Sequence, residues 1–293
     1  MLSEWLFSVY SGIASGLAVF LVAAGLSWVF GILKILNMAH GNFFMVGTYV
    51  AYSVVGQRPE SLAAFMGASL LAAAVVGLLG FITDKVMLRR LRGADYHYVL
   101  MGTFALAMLV EGVVKLIWGV DLTTVNPPPL LDAPVDIGGV MVPRFTLFAI
   151  GAGLAVFAAL DFALNRTWAG KLMQAVAADP WMAGMMGINV PMLLAVSVTA
   201  SFALAGFAGG LLLPFQSLSP DIGNSYLLLA FFAVIIGGLG NIRGAFLASV
   251  LLGVVQQVST IAVPNFPGLT VYVALAVFLI WWPNGIFPPA GLK

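Results

Sequence analysis

The sequence predicts an all-α, polytopic transmembrane helical bundle of about 8–9 spans, one or two of them broken or re-entrant. Three observations carry this. Of the 293 residues, 62% are hydrophobic and only 8% charged, against about 25% charged in a soluble domain. A soluble surface of this size cannot be built from so little charge, so the bilayer is the solvent that fits. Apolar runs of spanning length recur along the chain, and Lys and Arg gather in alternate connections. The formal net charge of +1 suggests no nucleic-acid partner, and the absence of cysteine removes any disulfide framework, thiolate metal site or thiol lipidation. The first residues, Met1 to Gly12, hold no basic stretch ahead of their apolar run, so that run is expected to remain as a membrane helix.

In chain order the candidate spans are Leu6–Leu33, Ile35–Val55, Leu62–Ile82, Tyr98–Trp118, Phe145–Leu164, Met192–Leu213, Tyr226–Leu239, Ala245–Val263 and Leu269–Trp282. A crossing needs about 20 mostly apolar residues. Asn37, His40, Gly41 and Asn42 interrupt Ile35–Val55, so its first half is expected to be broken or re-entrant. Tyr226–Leu239 is short and ends in Gly237-Gly238. Two connections are long. Asp121–Arg144 holds Asn126-Pro127-Pro128-Pro129 and then Asp136-Ile137-Gly138-Gly139, an extended stretch and a turn that suit a small hairpin. The other is Asn165–Val190. No connection reaches the size of a soluble domain, so residues 1–293 form one transmembrane domain with 165–190 a loop inside it.

Lys85, Arg89, Arg90 and Arg92 make one basic connection, and Arg166 and Lys171 another; two spans separate them, and Arg243 and Lys293 fall on the same side. The opposite connections carry Glu60, Asp121, Asp132, Asp136 and Asp221, with only Arg58 and Arg144 as cations. The positive-inside rule places the basic side, and the C-terminus, in the cytoplasm. Nine spans put the N-terminus outside and eight put it inside. The segment Ile35–Val55 decides between them, with outside preferred.

The loop Asn165–Asn189 has helix-forming composition. Asp179-Pro180 reads as an N-cap followed by proline at the first helical position, and Gly187 suits a left-handed C′ residue. One short helix is therefore expected from Trp168 to Ala178 and a second from Pro180 to about Gly187, joined in a knuckle at Asp179. Trp181, Met182, Met185 and Met186 would be exposed apolar groups on it, and Met adapts readily to a groove. A helix lying on lipid headgroups usually carries Lys or Arg on its polar face. Ala175–Asn189 has neither, which favours a protein partner.

At this point four segments resemble, in order, signatures of the branched-chain amino-acid ABC permeases. Gly31–Gly47 reads GILKILNMAHGNFFMVG and resembles a glycine, a short apolar run and N-x-A-H-G ahead of a membrane helix. Asn165–Asn189, closing with Ala183, Gly187-Ile188-Asn189, resembles the cytoplasmic coupling loop. Gly237–Gly244, GGLGNIRG, resembles a G-G-x-G-x-x-x-G segment, and Trp282–Phe287 resembles R-P-x-G-L-F. The spacing matches along nearly the whole chain. The resemblance implies the smaller permease of an importer in the bacterial inner membrane. It implies a second homologous permease, favouring a heterodimer, two cytoplasmic ATPase subunits and a periplasmic solute-binding protein. This chain lacks G-x-x-x-x-G-K-[ST], so ATP belongs to the partners and no cofactor is expected here. Three positions depart from the pattern: Asn42 where Glu or Asp is frequent, Gln174 where Arg is frequent, and Trp282 where Arg is common. The first removes a charge near the proposed pathway and weakens any inference about substrate.

On the resemblance, Ala178, Asp179, Pro180, Trp181, Met182, Ala183 and Gly187 are candidates for contact with the ATPase. Asn37, His40, Gly41 and Asn42 are candidates for the substrate path, because a broken helix frees N–H and C=O groups that can bind a zwitterion. His40 has a second reading, as a structural hydrogen-bonder between helices. Gly237, Gly238, Gly240 and Gly244 suit either a second break or a close-packing seam. Glu111 and Lys115 are four apart, in the favourable order for a self-neutralising pair near the outer end of their span. Interhelical hydrogen bonds account for Thr199, Ser201, Gln256 and Gln257. The rival to an importer permease is an ion-coupled secondary transporter, which would need an intramembrane carboxylate, and only Glu111 offers itself. An intramembrane metal hydrolase lacks support, since H-E-x-x-H is absent.

Overall fold

The computed structural model describes residues 2–137, 140–282 and 285–287. Its helices are α1 (Leu2–Leu33), α2 (His40–Val55), α3 (Leu62–Thr83), α4 (Arg89–Leu91), α5 (Tyr96–Trp118), α6 (Pro129–Asp132), α7 (Arg144–Arg166), α8 (Trp168–Ala178), α9 (Pro180–Met185), α10 (Val190–Leu211), α11 (Ile222–Gly237), α12 (Ile242–Ala262) and α13 (Pro267–Trp281). A π-helical turn at Asp84–Leu88 joins α3 to α4. Among the described residues, six helices are long and apolar enough to cross a membrane: α1, the continuous Leu62–Leu91 helix, α5, α7, α10 and α12. Three shorter helices, α2, α11 and α13, complete an all-α bundle.

Local chemistry starts these helices where the backbone needs it. Ser61 accepts from the Ala64 N–H at the head of α3, Asp95 from His97 at α5, Asn189 from Met192 at α10 and Asn241 from Gly244 at α12. Each satisfies one of the unpaired amides that open a helix. The His97 amide and ring hold the exposed Asp95 carboxyl below its ordinary range.

Two helix triplets organise the bundle. The first is α1–α2–α3 and the second α10–α11–α12, and they pair crosswise. α1 lies against α12 with Gly12 meeting Val254 and Gly16 meeting Ser249 and Val250. α10 lies against α3 in the same antiparallel manner, Gly206 meeting Ala72 and Val76, and Gly210 meeting Ser69. The middle member of each triplet is the short one. α2 and α11 have 16 residues each, about 24 Å, less than the ~30 Å hydrocarbon core. Each follows a non-helical stretch, Lys34–Ala39 before α2 and Gln216–Asp221 before α11. Lys34 (φ 54°) marks where α1 stops. The triplets run in opposite senses, an inverted repeat of the kind that places two broken helices at mid-depth.

The expected span Ile35–Val55 is thus a half-helix that begins only at His40. The expected span Tyr226–Leu239 begins earlier, at Ile222. The second break lies at Gln216–Asp221, not in the glycine cluster Gly237–Gly244. Pro214, Pro220 and Asp221 explain why: proline removes a backbone donor and Asp competes for local amides, so the helix cannot continue there.

One end of the bundle carries Lys85, Arg89, Arg90, Arg92, Arg166, Lys171 and Arg243. At the other end, strands β1 (Pro134–Ile137) and β2 (Val140–Pro143) form the expected antiparallel hairpin, Val135 opposite Val142. The connection that carries it is tied down at three points. Asn126 N–H donates to Gln57 O (2.9 Å), Thr123 and Leu218 exchange two backbone hydrogen bonds, and Arg58 pairs with Asp132 (3.2 Å). The core is apolar and close-packed, with Phe20, Phe44, Phe65 and Phe202 fully buried.

Candidate functional site

The two half-helices meet at their first turns. α2 opens His40-Gly41-Asn42 and α11 opens Ile222-Gly223-Asn224, so each begins X-Gly-Asn. The glycines touch backbone to backbone. A Cβ on Gly41 would lie 2.1 Å from Gly223 O, and one on Gly223 would lie 2.6 Å from Gly41 O. Only glycine permits this approach. The asparagines then grip the same neighbour: Asn42 Nδ2 donates to Ala107 O (2.7 Å) and Asn224 Nδ2 to Glu111 Oε2 (3.1 Å), one turn apart on α5. Sequence reasoning missed Gly223 and Asn224. The repeated Gly-Asn at the head of a short apolar run was the signal that could have found them.

Around this junction the polar residues divide by exposure. Asn37, His40 and Asn42 are buried to within 1%. Asn37 Oδ1 accepts from the Ala39 N–H (3.0 Å) and shapes the turn into α2. The His40 ring packs edge-on to Phe202, centroids 6.0 Å apart, in a space left by Gly25, where a Cβ would sit 2.9 Å from the ring. Among the described residues neither ring nitrogen completes a hydrogen bond, although the Val22 backbone of α1 faces the ring. Ser201 Oγ donates to Gly25 O (2.7 Å), stitching α10 to α1 beside it. Asn37, His40, Gly41 and Asn42 therefore come together with α1, α5, α10 and α11 in the packed interior, and they line neither of the two cavities described below. Glu111, Lys115, Asp221 and Asn224 sit at the surface of the chain instead: the Glu111 side chain is 18% exposed, that of Lys115 40%, and Asp221 and Asn224 are exposed.

The glycine segment has a different job at the basic end. Gly237 closes α11, and Gly238 (φ 99°) and Gly240 (φ 82°) form the turn into α12. Gly237 and Gly244 face each other so closely that a Cβ on Gly244 would lie 1.8 Å from Gly237 O. Gly240 rests on Gly31 of α1. Ile286 N–H donates to Ile236 O (2.8 Å) and Phe287 N–H to Gly237 O (3.3 Å), so the chain's last described residues dock onto this turn. It is a packing seam and a turn. Pro283 and Asn284, between Trp282 and these residues, lie outside the described residues, as does Lys293.

Beside the seam stands the knuckle. Asp179 Oδ1 accepts from both Trp181 N–H (3.0 Å) and Met182 N–H (2.9 Å), and Pro180 is the first residue of α9. The helix ends in a Schellman motif: Gly187 (φ 84°) donates to Gly184 O and Ile188 to Ala183 O. Ala183 is buried, whereas Trp181, Met182, Met185 and Met186 are 50–78% exposed. Ala178 ends α8 and is exposed. Thr167 caps α8, and Gly170 lets its first turn press against the Ala163 and Leu164 carbonyls of α7.

Two cavities flank the knuckle. One of about 570 Å³ lies among Trp28, Gln174, Asn241 and the Asp161–Arg243 pair, which is bidentate at 2.6 and 3.0 Å. The other, about 370 Å³, lies among Lys34, Arg92, Tyr96 and Pro180. Asp84, fully buried, pairs with Arg92 at its edge.

A family model described as "Branched-chain amino acid transport system / permease component" matches residues 8–281. The high-affinity branched-chain amino acid transport system permease protein BraD of Pseudomonas aeruginosa is 26% identical, over 97% of this chain and 95% of its own. The corresponding permease protein LivH of Escherichia coli is 26% identical, over 95% and 94%. A probable branched-chain amino acid transport permease protein LivH of Methanocaldococcus jannaschii is 26% identical, over 93% and 87%. The solved structure of PsaBC from Streptococcus pneumoniae in complex with Fab covers 99% of this chain and 97% of its own at 15% identity and a TM-score of 0.45, too distant to carry an argument. The broken helices, the glycine seam Gly237–Gly244 and the knuckle all lie within the matched residues, and the chain belongs to the permease components of the branched-chain amino acid transport systems.

Proposed function

We propose that this permease is the smaller of two homologous subunits of an importer that moves branched-chain or other amino acids, or a related small polar solute such as urea, an amide or an aromatic acid. In this reading it spans the bacterial inner membrane with its basic end and C-terminus in the cytoplasm, in keeping with the charge asymmetry of its connections. Two ATPase subunits bind and hydrolyse ATP below it, a periplasmic protein delivers solute above it, and the chain itself binds no cofactor.

The observation that carries the coupling role is α9. Its two ends are capped and its apolar side chains are uncovered. A six-residue helix has no stability of its own, so the caps, and Ala183 packed beneath, keep it standing. Motion of a partner bound to Trp181 and the Met residues would pass through Asp179 to α8, and across the cavity beside Gln174 to the α11–α12 turn. Asn37, His40, Gly41 and Asn42 serve in this reading as the frame that holds the two half-helices together where their first turns cross.

An ion-coupled carrier would want an uncommitted intramembrane carboxylate. Glu111, Asp84 and Asp161 are each engaged by a cation. The test is affinity purification of the tagged chain in mild detergent, with mass spectrometry of what accompanies it. A second permease and ATPase subunits are expected. A stable, monodisperse chain alone would favour the ion-coupled carrier.

A further inference from the structure

Glu111, Lys115, Asp221 and Asn224 form a charged cluster on the exposed side of the α5–α11 contact. Lys115 Nζ binds Glu111 Oε1 at 2.6 Å, and Asn224 Nδ2 holds the other carboxylate oxygen at 3.1 Å. Asp221 lies within electrostatic range of Lys115 and of Tyr49 on α2. Tyr49 is itself only 3% exposed, lies tilted against Trp118 (centroids 5.3 Å apart) and has a hydroxyl with no hydrogen-bond partner among the described residues.

The depth of the cluster gives it meaning. Glu111 sits about 10 Å inside the end of α5 at Trp118. Lys115 lies only about 5 Å inside that end, but a carboxylate at the depth of Glu111 does not face acyl chains; it faces protein or a water-filled path. The cluster presents two carboxylates and one ammonium beside the first turn of a half-helix. Its central ion pair has the charges of an amino acid laid end to end, an anion next to a cation. A zwitterion can replace the internal pair with two of its own: its ammonium to Glu111 and Asp221, its carboxylate to Lys115 and the Asn224 amide. The Asn42–Ala107 bond on the matching half of the repeat is neutral and fully buried, so only the α11 half offers this exchange.

We infer that Glu111 and Lys115, with Asn224 and Asp221, form a transient subsite on the translocation path that recognises the α-ammonium and α-carboxylate of a zwitterionic amino acid. The inference rests on the amino-acid import reading above. Its specificity follows directly: the group that varies among substrates points away from the cluster, and loss of either charge from the solute leaves Glu111 or Lys115 without a partner.

The experiment measures ATP-driven leucine uptake by the purified complex in proteoliposomes with saturating external binding protein, for wild type, Glu111→Gln, Lys115→Gln and, as a control on the acidic end, Glu60→Gln. Uptake of the 2-oxo acid that leucine becomes when its amine is lost is measured in parallel. Both cluster variants are expected to lower the maximal rate of leucine uptake about tenfold or more, while Glu60→Gln matches wild type. The 2-oxo acid should compete poorly in wild type, and its disadvantage relative to leucine should shrink in Glu111→Gln. An unchanged maximal rate in both variants with the complex assembled overturns the subsite but leaves the importer reading standing. Loss of the second permease from either variant also overturns it, because the cluster is then an assembly contact. A wild-type chain that recovers no ATPase overturns the importer reading and this inference with it.

Discussion

Gly41 is the residue on which the junction of the two half-helices depends, and Gly41→Ala measures that dependence. A methyl carbon there would lie 2.1 Å from Gly223 O, 2.6 Å from Leu227 Cβ and 3.0 Å from Gly223 C. A relaxed carbon–oxygen contact needs about 3.3 Å, so the two helix ends must part by about 1 Å. Two of the three contacts are backbone and cannot rotate away, and Gly223 is pressed on Gly41 O in turn. Overpacking of this kind costs about 1–3 kcal/mol, only partly offset by the roughly 0.5–1 kcal/mol that alanine contributes to a helix over glycine. A net loss of about 1–2 kcal/mol lowers the midpoint of thermal unfolding by roughly 2–8 °C in a chain of this size. The assay is thermal unfolding of the detergent-solubilised chain followed by tryptophan fluorescence. Gly67→Ala is the control, because its site on α3 is exposed and nothing lies within 4 Å of the new methyl. Gly41→Ala should melt lower and transport less, and Gly67→Ala should melt at or above wild type. Equal melting of the two variants would refute close contact between the first turns of α2 and α11.

Two further substitutions probe the basic end. Asp179→Ala removes an acceptor shared by the Trp181 and Met182 amides, worth about 0.5–2 kcal/mol to α9; solute-stimulated ATPase activity should fall while the chain still inserts and assembles, and normal stimulation would argue against α9 as the ATPase contact. Asp161→Asn breaks the bidentate clasp between α7 and α12 beside the larger cavity; more ATP should be hydrolysed per solute imported, with melting nearly unchanged, and an unaltered ratio would show that the clasp takes no part in coupling.

Much of this was legible because membrane sequences advertise their spans. Composition and apolar runs marked the bundle, and the uneven placement of Lys and Arg separated its ends. Asp179-Pro180 and Gly187 marked α9 to within two residues, since caps and left-handed glycines are local chemistry. Asn37 to Asn42 marked the first break for the same reason. The second break was not recognised: Gln216–Asp221 reads as an ordinary surface connection, and only the contact of Gly41 with Gly223, just after it, shows that it leads into a half-helix matched to α2. Gly237 to Gly244 drew attention as a break or a seam because glycine serves both, and the choice depends on Gly31 and Phe287, which lie far off in sequence. Glu111 and Lys115 read correctly as a pair. The third member, Asn224, was missed: its repeat of Gly41-Asn42 was legible, but its hydrogen bond to Glu111 joins helices far apart in sequence.

The central claim, that this chain is a path opened by ATP hydrolysis in other subunits, is tested most directly by uptake into proteoliposomes carrying the purified complex. Accumulation of labelled leucine should require internal ATP and external binding protein and should survive collapse of proton and sodium gradients. Accumulation by the chain alone, driven by such a gradient and indifferent to ATP, would contradict it.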